Sequence, residues 1–346
     1  MTNKNFRVGI VGATGFGGAE LLRILCDHPD ISVVYATAGE AADQPIESVH
    51  PNLRGLYDLT FSPHPRSESD FPDKLEGLFL GVPHGKSMGL LPMVPRGLKV
   101  VDLAADYRLD SPELFFKYYG IEHRDSKRLS QAVYGLTEIN RKQLKGADFV
   151  ANPGCFATAV QLGLYPLLKN SLVCGQIFCD AKTGSSGSGA SPRKSTHHPV
   201  REGSFYAYKL LSHQHEGEIM QTIERCGFKG SFNMQVHSAP FARGIFASIY
   251  CSLELGVSGA DIANAYKEVY QNSRFIRLVE GSPDIHWVRQ SNYADIGYVV
   301  KGDSIVCFVA IDNLVKGAAG QAIQNMNLML SLREESGLLS PGGFPS

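Results

Sequence analysis

A cysteine that directly follows a turn is the residue of this sequence best placed for covalent chemistry. An apolar run at 147–151 predicts a buried strand, and Asn-Pro-Gly at 152–154 predicts a turn, because proline fixes φ and glycine accepts any φ. Apolar residues at helical spacing follow to 168, which puts Cys155 in the first turn of a helix. Unpaired backbone N–H groups and the helix dipole favour a nucleophilic thiolate there. The alternative is a small buried cysteine that only packs.

Two histidines in the run His-Gln-His-Glu-Gly-Glu at 213–218 are candidates for proton transfer. A histidine beside a cysteine thiolate can act as general acid and base, since imidazole titrates near neutral pH. A zinc site is the alternative, but helical zinc ligands prefer an i, i+4 spacing and no cysteine pair completes a set. We therefore expect no metal. A purely structural role for one of the two histidines stays open.

A glycine-rich turn near the start predicts dinucleotide binding. The segment 6–11 reads as a strand, 19–26 as a helix, and the turn between them has the spacing G-x-x-G-x-x-G at Gly12, Gly15 and Gly18. The first glycine allows the tight turn, the second lets the backbone approach a pyrophosphate, and the third lets the helix pack on the strand. The helix N-terminus then faces the phosphates. A plain strand-to-helix turn is the alternative.

Three further positions follow predicted strands, at the edge where open α/β sheets bind ligands. The second strand ends near Thr37 with no acid to select NAD and no Arg or Lys to select NADP, although the Thr37 hydroxyl could bond a 2′-phosphate. Pro83 begins a loop after another strand. Arg108 could bind an anionic substrate group. Its alternative is a surface pair with Asp106 or Asp110.

The sequence pattern changes after the Cys155 helix. A loop very rich in Gly and Ser at 183–191 follows a predicted strand; it is either a flexible linker or an ordered loop whose amides face a ligand, and its position favours the second. The remainder alternates long strands with one helix at 259–271, which is typical of an antiparallel sheet. A last helix begins near 312 and is expected to pack on the first domain.

These patterns predict an α/β protein with a Rossmann-type, doubly wound parallel sheet and a second α+β domain whose sheet is mostly antiparallel. We expect the first domain at 1–154, completed by the C-terminal helix at 314–346, and the second at 155–313. With 346 residues, two domains are the natural expectation.

Composition narrows the class of protein further. The formal net charge of −1 gives no electrostatic surface for nucleic acid, and no apolar run is long enough for a membrane span. Seven cysteines without a metal-like pair, and a start that leads straight into a strand, favour a cytoplasmic protein without a disulfide framework. A nucleotide fold, a poised thiol and a nearby base together predict an acyl thioester reduced by hydride from a nicotinamide cofactor.

The chain as a whole resembles the N-acetyl-γ-glutamyl-phosphate reductase family of arginine biosynthesis, within the aspartate-semialdehyde dehydrogenase superfamily. The shared motifs occur in one order along nearly the whole sequence: GIVGATG at 9–15, HPNLRG at 50–55, LGVPHG at 80–85, DLAADYRL at 102–109, VYGLTE at 133–138, ANPGC at 151–155, HQHEGEI at 213–219 and IDNLVKGAAGQA at 311–322.

The resemblance implies roles for individual residues. Cys155 is the nucleophile, His215 carries the proton and His213 supports it. The implied substrate contacts are Arg108, Asn152, Tyr208 and Glu218. The implied contacts to NADP(H) are Gly12, Thr14, Gly15, Phe16, Gly17, Thr37, Pro83, Gly187, Ser188, Asn313, Lys316 and Gly317. A homodimer or homotetramer is expected.

The resemblance leaves the substrate open between two reactions. The family reduces N-acetyl-γ-glutamyl phosphate to the semialdehyde with release of phosphate, and we favour this reaction. The segment at 190–199, with Tyr-Lys at 208–209, also resembles the sister reductase of lysine biosynthesis, whose aminoadipyl phosphate is one methylene longer and carried on a protein. A non-catalytic NADP-binding regulator on the same fold is a further alternative, and so is aspartate-semialdehyde dehydrogenase, which the motif at 213–218 disfavours.

Overall fold

The structure is a computed structural model that describes residues 6–343, and its backbone divides into two compact units. The first unit holds the described residues up to Pro153 together with Gly189–Ser191 and Ala318–Leu339. The second holds Gly154–Ser188, Pro192–Gly317 and the described residues from Ser340 onward.

A seven-stranded sheet forms the centre of the first unit. Its strands are β1 (Phe6–Val11), β2 (Ile31–Ala38), β3 (Ser62–Pro63), β4 (Gly77–Leu80), β5 (Lys99–Asp102), β6 (Val133–Tyr134) and β7 (Phe149–Ala151). Their order is β3-β2-β1-β4-β5-β7-β6, and every pairing is parallel. The order runs outward in both directions from β1 and β4, as in doubly wound sheets, so a crevice opens at the carboxyl ends of these two strands.

Five helices follow strands of this sheet: α1 (Phe16–Leu25), α2 (Ile46–Val49), α3 (Ser87–Leu90), α4 (Pro112–Tyr119) and α5 (Thr137–Leu144). Helix α4 has a clear cap at each end. The Ser111 hydroxyl caps α4 by accepting the Leu114 N–H, and Gly120 ends that helix in the left-handed region at φ 66°. Helix α1 begins directly after the glycine turn.

The second unit is built on a mixed sheet. Its strands are β8 (Val173–Thr183), β9 (Tyr206–Tyr208), β10 (Ser231–Ser238), β11 (Ile245–Leu253), β12 (Ile276–Leu278), β13 (Ala294–Lys301) and β14 (Ser304–Ile311). They lie in the order β12-β13-β14-β11-β8-β10-β9, and the β10–β8 and β12–β13 pairs are parallel while the other four are antiparallel.

The helices of the second unit are α6 (Cys155–Lys169), α7 (His198–Arg201), α8 (Glu216–Arg225) and α9 (Gly259–Tyr270). Helix α6 lies against the sheet at Gly163, where a Cβ would stand 2.7 Å from Val309 and 2.9 Å from Ile249. Pro166 cannot donate to the Leu162 carbonyl one turn earlier, and the Tyr270 hydroxyl donates to that carbonyl instead, at 2.5 Å. The helix that begins at Cys155 is thus held firmly to its sheet.

The last helix, α10 (Gly320–Met329), belongs to the first unit and is buried along its whole length. The predicted fold class, a parallel Rossmann-type sheet with a second α+β part, is confirmed. Within residues 6–343, every helix falls short of the length and apolar character that crossing a bilayer requires.

Candidate active site

Cys155 occupies the first position of α6. Gly154 precedes it in an extended conformation (φ −70°, ψ 149°), and its carbonyl accepts the Thr158 N–H at 2.8 Å, the first bond of the helix. The Gly154 N–H donates to the buried Glu218 carboxylate at 2.9 Å. Because the turn is held at both polar atoms of Gly154, the thiol stands at a fixed point beside the N-terminal amides of a helix of 15 residues.

The His215 ring lies directly against the residue before the cysteine. A Cβ on Gly154 would stand 2.4 Å from His215 Nε2 and 2.6 Å from two further ring atoms, so any larger residue would have to displace the ring. On the other side, a Cβ on Gly317 would stand 2.7 Å from Cys155 Cβ. Two glycines therefore let an imidazole and a loop backbone approach the cysteine closely.

His213 supports His215 from the same turn. Its Nδ1 accepts the His215 backbone N–H at 3.2 Å, which leaves the ring hydrogen on Nε2, and the two ring centroids are 4.7 Å apart. Burial, with a smaller contribution from the Lys209 charge, lowers the pKa of His213 to about 3. His213 is therefore neutral at physiological pH and a poor proton acceptor, which agrees with the supporting role predicted for it.

Tyr208 lies in the same group of side chains. It ends β9, and its ring centroid is 6.0 Å from that of His213. Burial, and next the negative charge that Cys155 can carry, raise the pKa of Tyr208 well above its ordinary value. The phenol stays protonated and can donate a hydrogen bond beside the cysteine.

The loop at 312–317 is fixed by a buried carboxylate that the sequence analysis did not single out. Asp312 accepts both the Leu314 and Val315 N–H groups and forms a two-point ion pair with Arg243, at 2.9 and 3.0 Å. A buried pair with this geometry holds a loop in one conformation. Through it, the Gly317 backbone is kept against Cys155.

Two predicted cofactor residues of this loop are turned into the protein. The Gly244 N–H donates to Asn313 Oδ1, and Asn313 Nδ2 donates to the Ser186 hydroxyl. Lys316 is fully buried, and its Nζ lies 5.8 Å from the Phe275 ring centroid. These side chains shape the loop, and of the predicted set in this segment Gly317 is the one whose main chain borders the cysteine.

The first part of the Gly/Ser-rich loop forms a hydrogen-bonded turn. It contains a 3₁₀ turn at Ser185–Ser188, and the Ser185 and Ser186 N–H groups donate to the Phe241 and Ala242 carbonyls. Gly187 donates its own N–H to Gly184, so its amide is engaged within the turn, while Ser188 is exposed. That Gly187 and Ser188 contact a cofactor stays a prediction.

The glycine turn of the first unit fits a pyrophosphate. Gly12 has φ +84° and a Cβ there would meet the Gly81 carbonyl at 2.7 Å, while a Cβ on Gly18 would meet the Ala13 backbone at 2.6 Å. Around Gly15, which precedes α1, nothing lies within 4 Å of a Cβ position. Two glycines close the turn and the third leaves an open cradle at a ten-residue helix N-terminus, as a dinucleotide requires.

Of the other residues predicted at this turn, Thr14 and Gly17 are half-buried and Phe16 is exposed. Thr37 differs from its prediction as a phosphate ligand, because it is fully buried and its hydroxyl accepts the Gly12 N–H at 3.1 Å. Its hydroxyl therefore stabilises the glycine turn from the interior of the protein.

The loops around Arg108 are held by two buried aspartates. Asp106 accepts the Gly85 and Met88 N–H groups, and Arg108 Nη2 donates to the Leu103 carbonyl at 2.7 Å. Asp102 accepts the Ser87 hydroxyl, and burial, with the charge of Asp106, raises the pKa of Asp102 to about 7. Pro83 is exposed at the end of β4, where the sequence predicted a ligand contact.

Asn152 is predicted to bind substrate, but its side-chain amide is hydrogen-bonded within the protein. It is 1% exposed, its Nδ2 donates to the Ala318 carbonyl and its Oδ1 accepts from Asn325 Nδ2 at 3.0 Å. Asn325 bonds Thr137 and the Gly135 carbonyl as well. Asn152 therefore anchors the strand end that leads to the cysteine turn, and Glu218 anchors the turn itself.

Among residues 6–343, no group of three or more His, Cys, Asp or Glu side chains is arranged to hold a metal ion. The structure therefore brings together, in the second unit, the predicted set of Cys155, His213, His215, Tyr208 and Glu218. In the first unit it builds a glycine turn whose shape fits a dinucleotide.

Two family models match the chain and cover most of it. They are described as semialdehyde dehydrogenase, NAD binding domain, over residues 7–147, and semialdehyde dehydrogenase, dimerisation domain, over residues 155–313. The chain belongs to the semialdehyde dehydrogenase family, as predicted, and is an oxidoreductase. The prediction of a nicotinamide dinucleotide cofactor is confirmed.

Two kinds of named reductase are similar to this chain over almost its whole length. The chain is 41% identical to N-acetyl-gamma-glutamyl-phosphate reductase of Methanosarcina acetivorans over 343 residues, covering 98% of this chain and 100% of the relative. It is 40% identical to [LysW]-L-2-aminoadipate/[LysW]-L-glutamate phosphate reductase of Sulfurisphaera tokodaii, over 97% of this chain and 98% of the relative. Its fold matches that of aspartate semialdehyde dehydrogenase II from Vibrio cholerae, with a TM-score of 0.69 at 15% identity, covering 95% of this chain and 99% of that one.

Proposed function

We propose that this protein reduces N-acetyl-γ-glutamyl phosphate to N-acetylglutamate 5-semialdehyde and phosphate with NADPH, in arginine biosynthesis. The observation that carries the proposal is the arrangement of Cys155 at the start of α6 with the His215 ring against Gly154. A thiol beside helix-terminal amides and an imidazole is the arrangement expected of a nucleophile that must accept an acyl group.

In the first step the Cys155 sulfur attacks the acyl carbon and the bond to the phosphate oxygen breaks, which releases phosphate and leaves a thioester. His215 takes the thiol proton, because neutral His213 holds it in place but is itself a poor base. The negative oxygen that develops on the acyl carbon lies near the N-terminus of α6, which favours that charge.

When bound, the reduced nicotinamide supplies a hydride to the thioester carbon. We place its pyrophosphate at Gly12, Thr14, Gly15, Phe16 and Gly17. Cys155 then leaves as a thiolate as the carbonyl of the aldehyde re-forms, and His215 returns the proton to the sulfur.

The substrate carboxylate and phosphate need donors. Arg108 supplies a fixed cation and Tyr208 a phenol that stays protonated, because burial raises its pKa. The residues at 187–188 and the main chain of Gly317 complete the set that we assign to phosphate and nicotinamide. We assign NADP binding to the first unit and catalysis to the second. Of the segment 314–346 that the sequence placed in the first domain, the part that belongs to the first unit is Ala318–Leu339.

A carrier-bound substrate is the second candidate, because relatives at 40% identity carry the name of a reductase acting on LysW-linked substrates. Comparing the reverse reactions separates the two: N-acetylglutamate semialdehyde or a carrier-bound aminoadipate semialdehyde, each with phosphate and NADP. We expect kcat/KM to be higher for the first. A clear preference for the second would move the protein to the carrier-linked reaction, and phosphate-independent turnover would contradict both.

We also propose that the protein is a homodimer. Directly paired residues of four strands form an apolar row on one face of the second sheet: Phe178, Tyr250, Val306 and Val299. Phe178, Tyr250 and Val299 are 37%, 46% and 50% exposed, and the matching family model is described as a dimerisation domain. Tyr250→Lys should give a monomer by light scattering; an unchanged mass would place the interface elsewhere.

A further inference from the structure

The carboxyl end of β2 has no side chain to contact an adenosine ribose. In dinucleotide-binding sheets the residue at this position sets cofactor choice, with an acid for the 2′-hydroxyl of NAD or a cation nearby for the 2′-phosphate of NADP. Here β2 ends at Ala38 and Gly39 follows, so neither group comes from this strand. Thr37 points into the protein and is fully buried.

A histidine directly after the neighbouring strand β3 lies beside the end of β2. Strand β3 pairs in parallel with β2, Ser62 beside Thr37 and Pro63 beside Ala38, so His64 emerges at the same sheet edge. Its Nδ1 lies 2.8 Å from the Thr37 hydroxyl, and its Nε2 lies 3.8 Å from the point where a Cβ of Gly39 would stand. Apart from this ring nitrogen, nothing described lies within 4 Å of that point.

The hydrogen bonds of Thr37 indicate which nitrogen of His64 is a donor. The buried Thr37 oxygen accepts the Gly12 N–H, and His64 Nδ1 is the acceptor that the described residues offer to the Thr37 hydroxyl hydrogen. With Nδ1 as acceptor, the neutral ring carries its hydrogen on Nε2. A donor therefore faces the position where an acid would stand in an NAD-selective protein. The same threonine ties this donor to the glycine turn that we assign to the pyrophosphate.

We propose that His64 Nε2 donates to the 2′-phosphate of NADP(H) and is the residue that makes this protein prefer NADP to NAD. The inference rests on the proposed function only in placing a dinucleotide at the glycine turn. The loop at 62–72 reads as polar surface in the sequence, and only the pairing of β3 with β2 shows that His64 belongs to the site.

Binding of nucleotide fragments to the full chain tests this without catalysis. We expect isothermal titration calorimetry to show that adenosine 2′,5′-bisphosphate binds more tightly than 5′-AMP. His64→Ala should weaken the bisphosphate on the order of 10- to 100-fold, as loss of a hydrogen bond to a charged group does, and leave 5′-AMP unchanged. His64 is exposed, so the variant should fold.

Two further variants test whether the preference for the bisphosphate depends specifically on His64. Arg66→Ala removes a nearby cation whose backbone N–H donates to Asp70, and it should change the preference less than threefold. Gly39→Asp puts a carboxylate beside His64, at a position where the added Cβ meets His64 Nε2 at an ordinary 3.8 Å, and it should reverse the preference toward 5′-AMP. Equal losses for His64→Ala and Arg66→Ala, or an unchanged preference in Gly39→Asp, would overturn the assignment.

The outcomes separate this inference from the proposed function. An enzyme that reduces the acyl phosphate equally well with NADPH and NADH would contradict the role of His64 and leave the reaction standing. A protein that prefers the bisphosphate through His64 but does not turn over the acyl phosphate would support the role of His64 and contradict the proposed reaction.

Discussion

Gly154→Ala is the substitution that most directly tests how the cysteine and His215 are held. The backbone of Gly154 (φ −70°, ψ 149°) suits alanine, so the change brings no backbone strain. The new Cβ would stand 2.4 Å from His215 Nε2, where ordinary contacts begin at 3.4 Å, so the ring must move by about 1 Å. A displacement of that size in a catalytic group costs on the order of 100-fold in rate.

The stability cost of the same substitution should be modest. Overpacking costs about 1–3 kcal/mol, and the loss of glycine's freedom in the unfolded chain returns about 0.4–1 kcal/mol. We therefore expect Gly154→Ala to be folded, destabilised by about 1–2 kcal/mol in urea, and about 100-fold lower in kcat. Gly259→Ala is the matched control, since nothing lies within 4 Å of its Cβ position at the start of α9, and it should keep full activity.

A double-mutant cycle shows whether the loss acts through the imidazole. In a His215→Ala background there is no ring to displace, so adding Gly154→Ala should lower kcat/KM less than threefold further. If the second substitution still cost about 100-fold, or if Gly154→Ala alone kept wild-type kcat, the role given to His215 would be refuted.

Three other predictions concern groups around the site. Burial raises the pKa of Asp102 to about 7, so between pH 4 and 7 the folded protein holds a proton that the unfolded chain has lost, and its stability falls as the pH rises. Urea unfolding of wild type relative to Asp102→Asn should show this fall, by up to about 1.4 kcal/mol per pH unit. A difference between the two proteins that does not change with pH would contradict it. Asn325→Ala should cost about 2–4 kcal/mol in the same assay, since it leaves buried partners such as Asn152 unbonded, and a loss under 1 kcal/mol would refute that role. Tyr208→Phe should raise KM for the acyl phosphate about 10-fold with a smaller effect on kcat, whereas an unchanged KM would exclude the phenol as a substrate contact.

The local patterns of the sequence predict the framework of both units. Strand β1, the glycine turn and α1 follow from an apolar run, three glycines and helical periodicity within one short segment. Helix α6 follows from Asn-Pro-Gly and the apolar spacing after it, and the structure begins it at Cys155 as predicted. These features depend on neighbours in sequence, which is why pattern and structure agree.

Side-chain roles that depend on distant pairing could not be predicted. Thr37 has the right chemistry and position for a phosphate ligand, but its hydroxyl is taken by Gly12 and by His64, 27 residues away. Asn152 is engaged by Asn325, 173 residues further on. Nothing in the local sequence shows that a polar atom already has a partner, so buried supports and exposed ligands look alike before the fold is known.

The thioester on Cys155 is the central claim, and mass spectrometry of the acylated protein tests it most directly. Wild-type protein mixed with N-acetyl-γ-glutamyl phosphate in the absence of NADPH and quenched in acid should carry one acyl group on the peptide containing Cys155. Cys155→Ser should carry none, and later addition of NADPH should remove the adduct and release the semialdehyde. An acyl group on another cysteine, or full turnover by Cys155→Ser, would contradict the account.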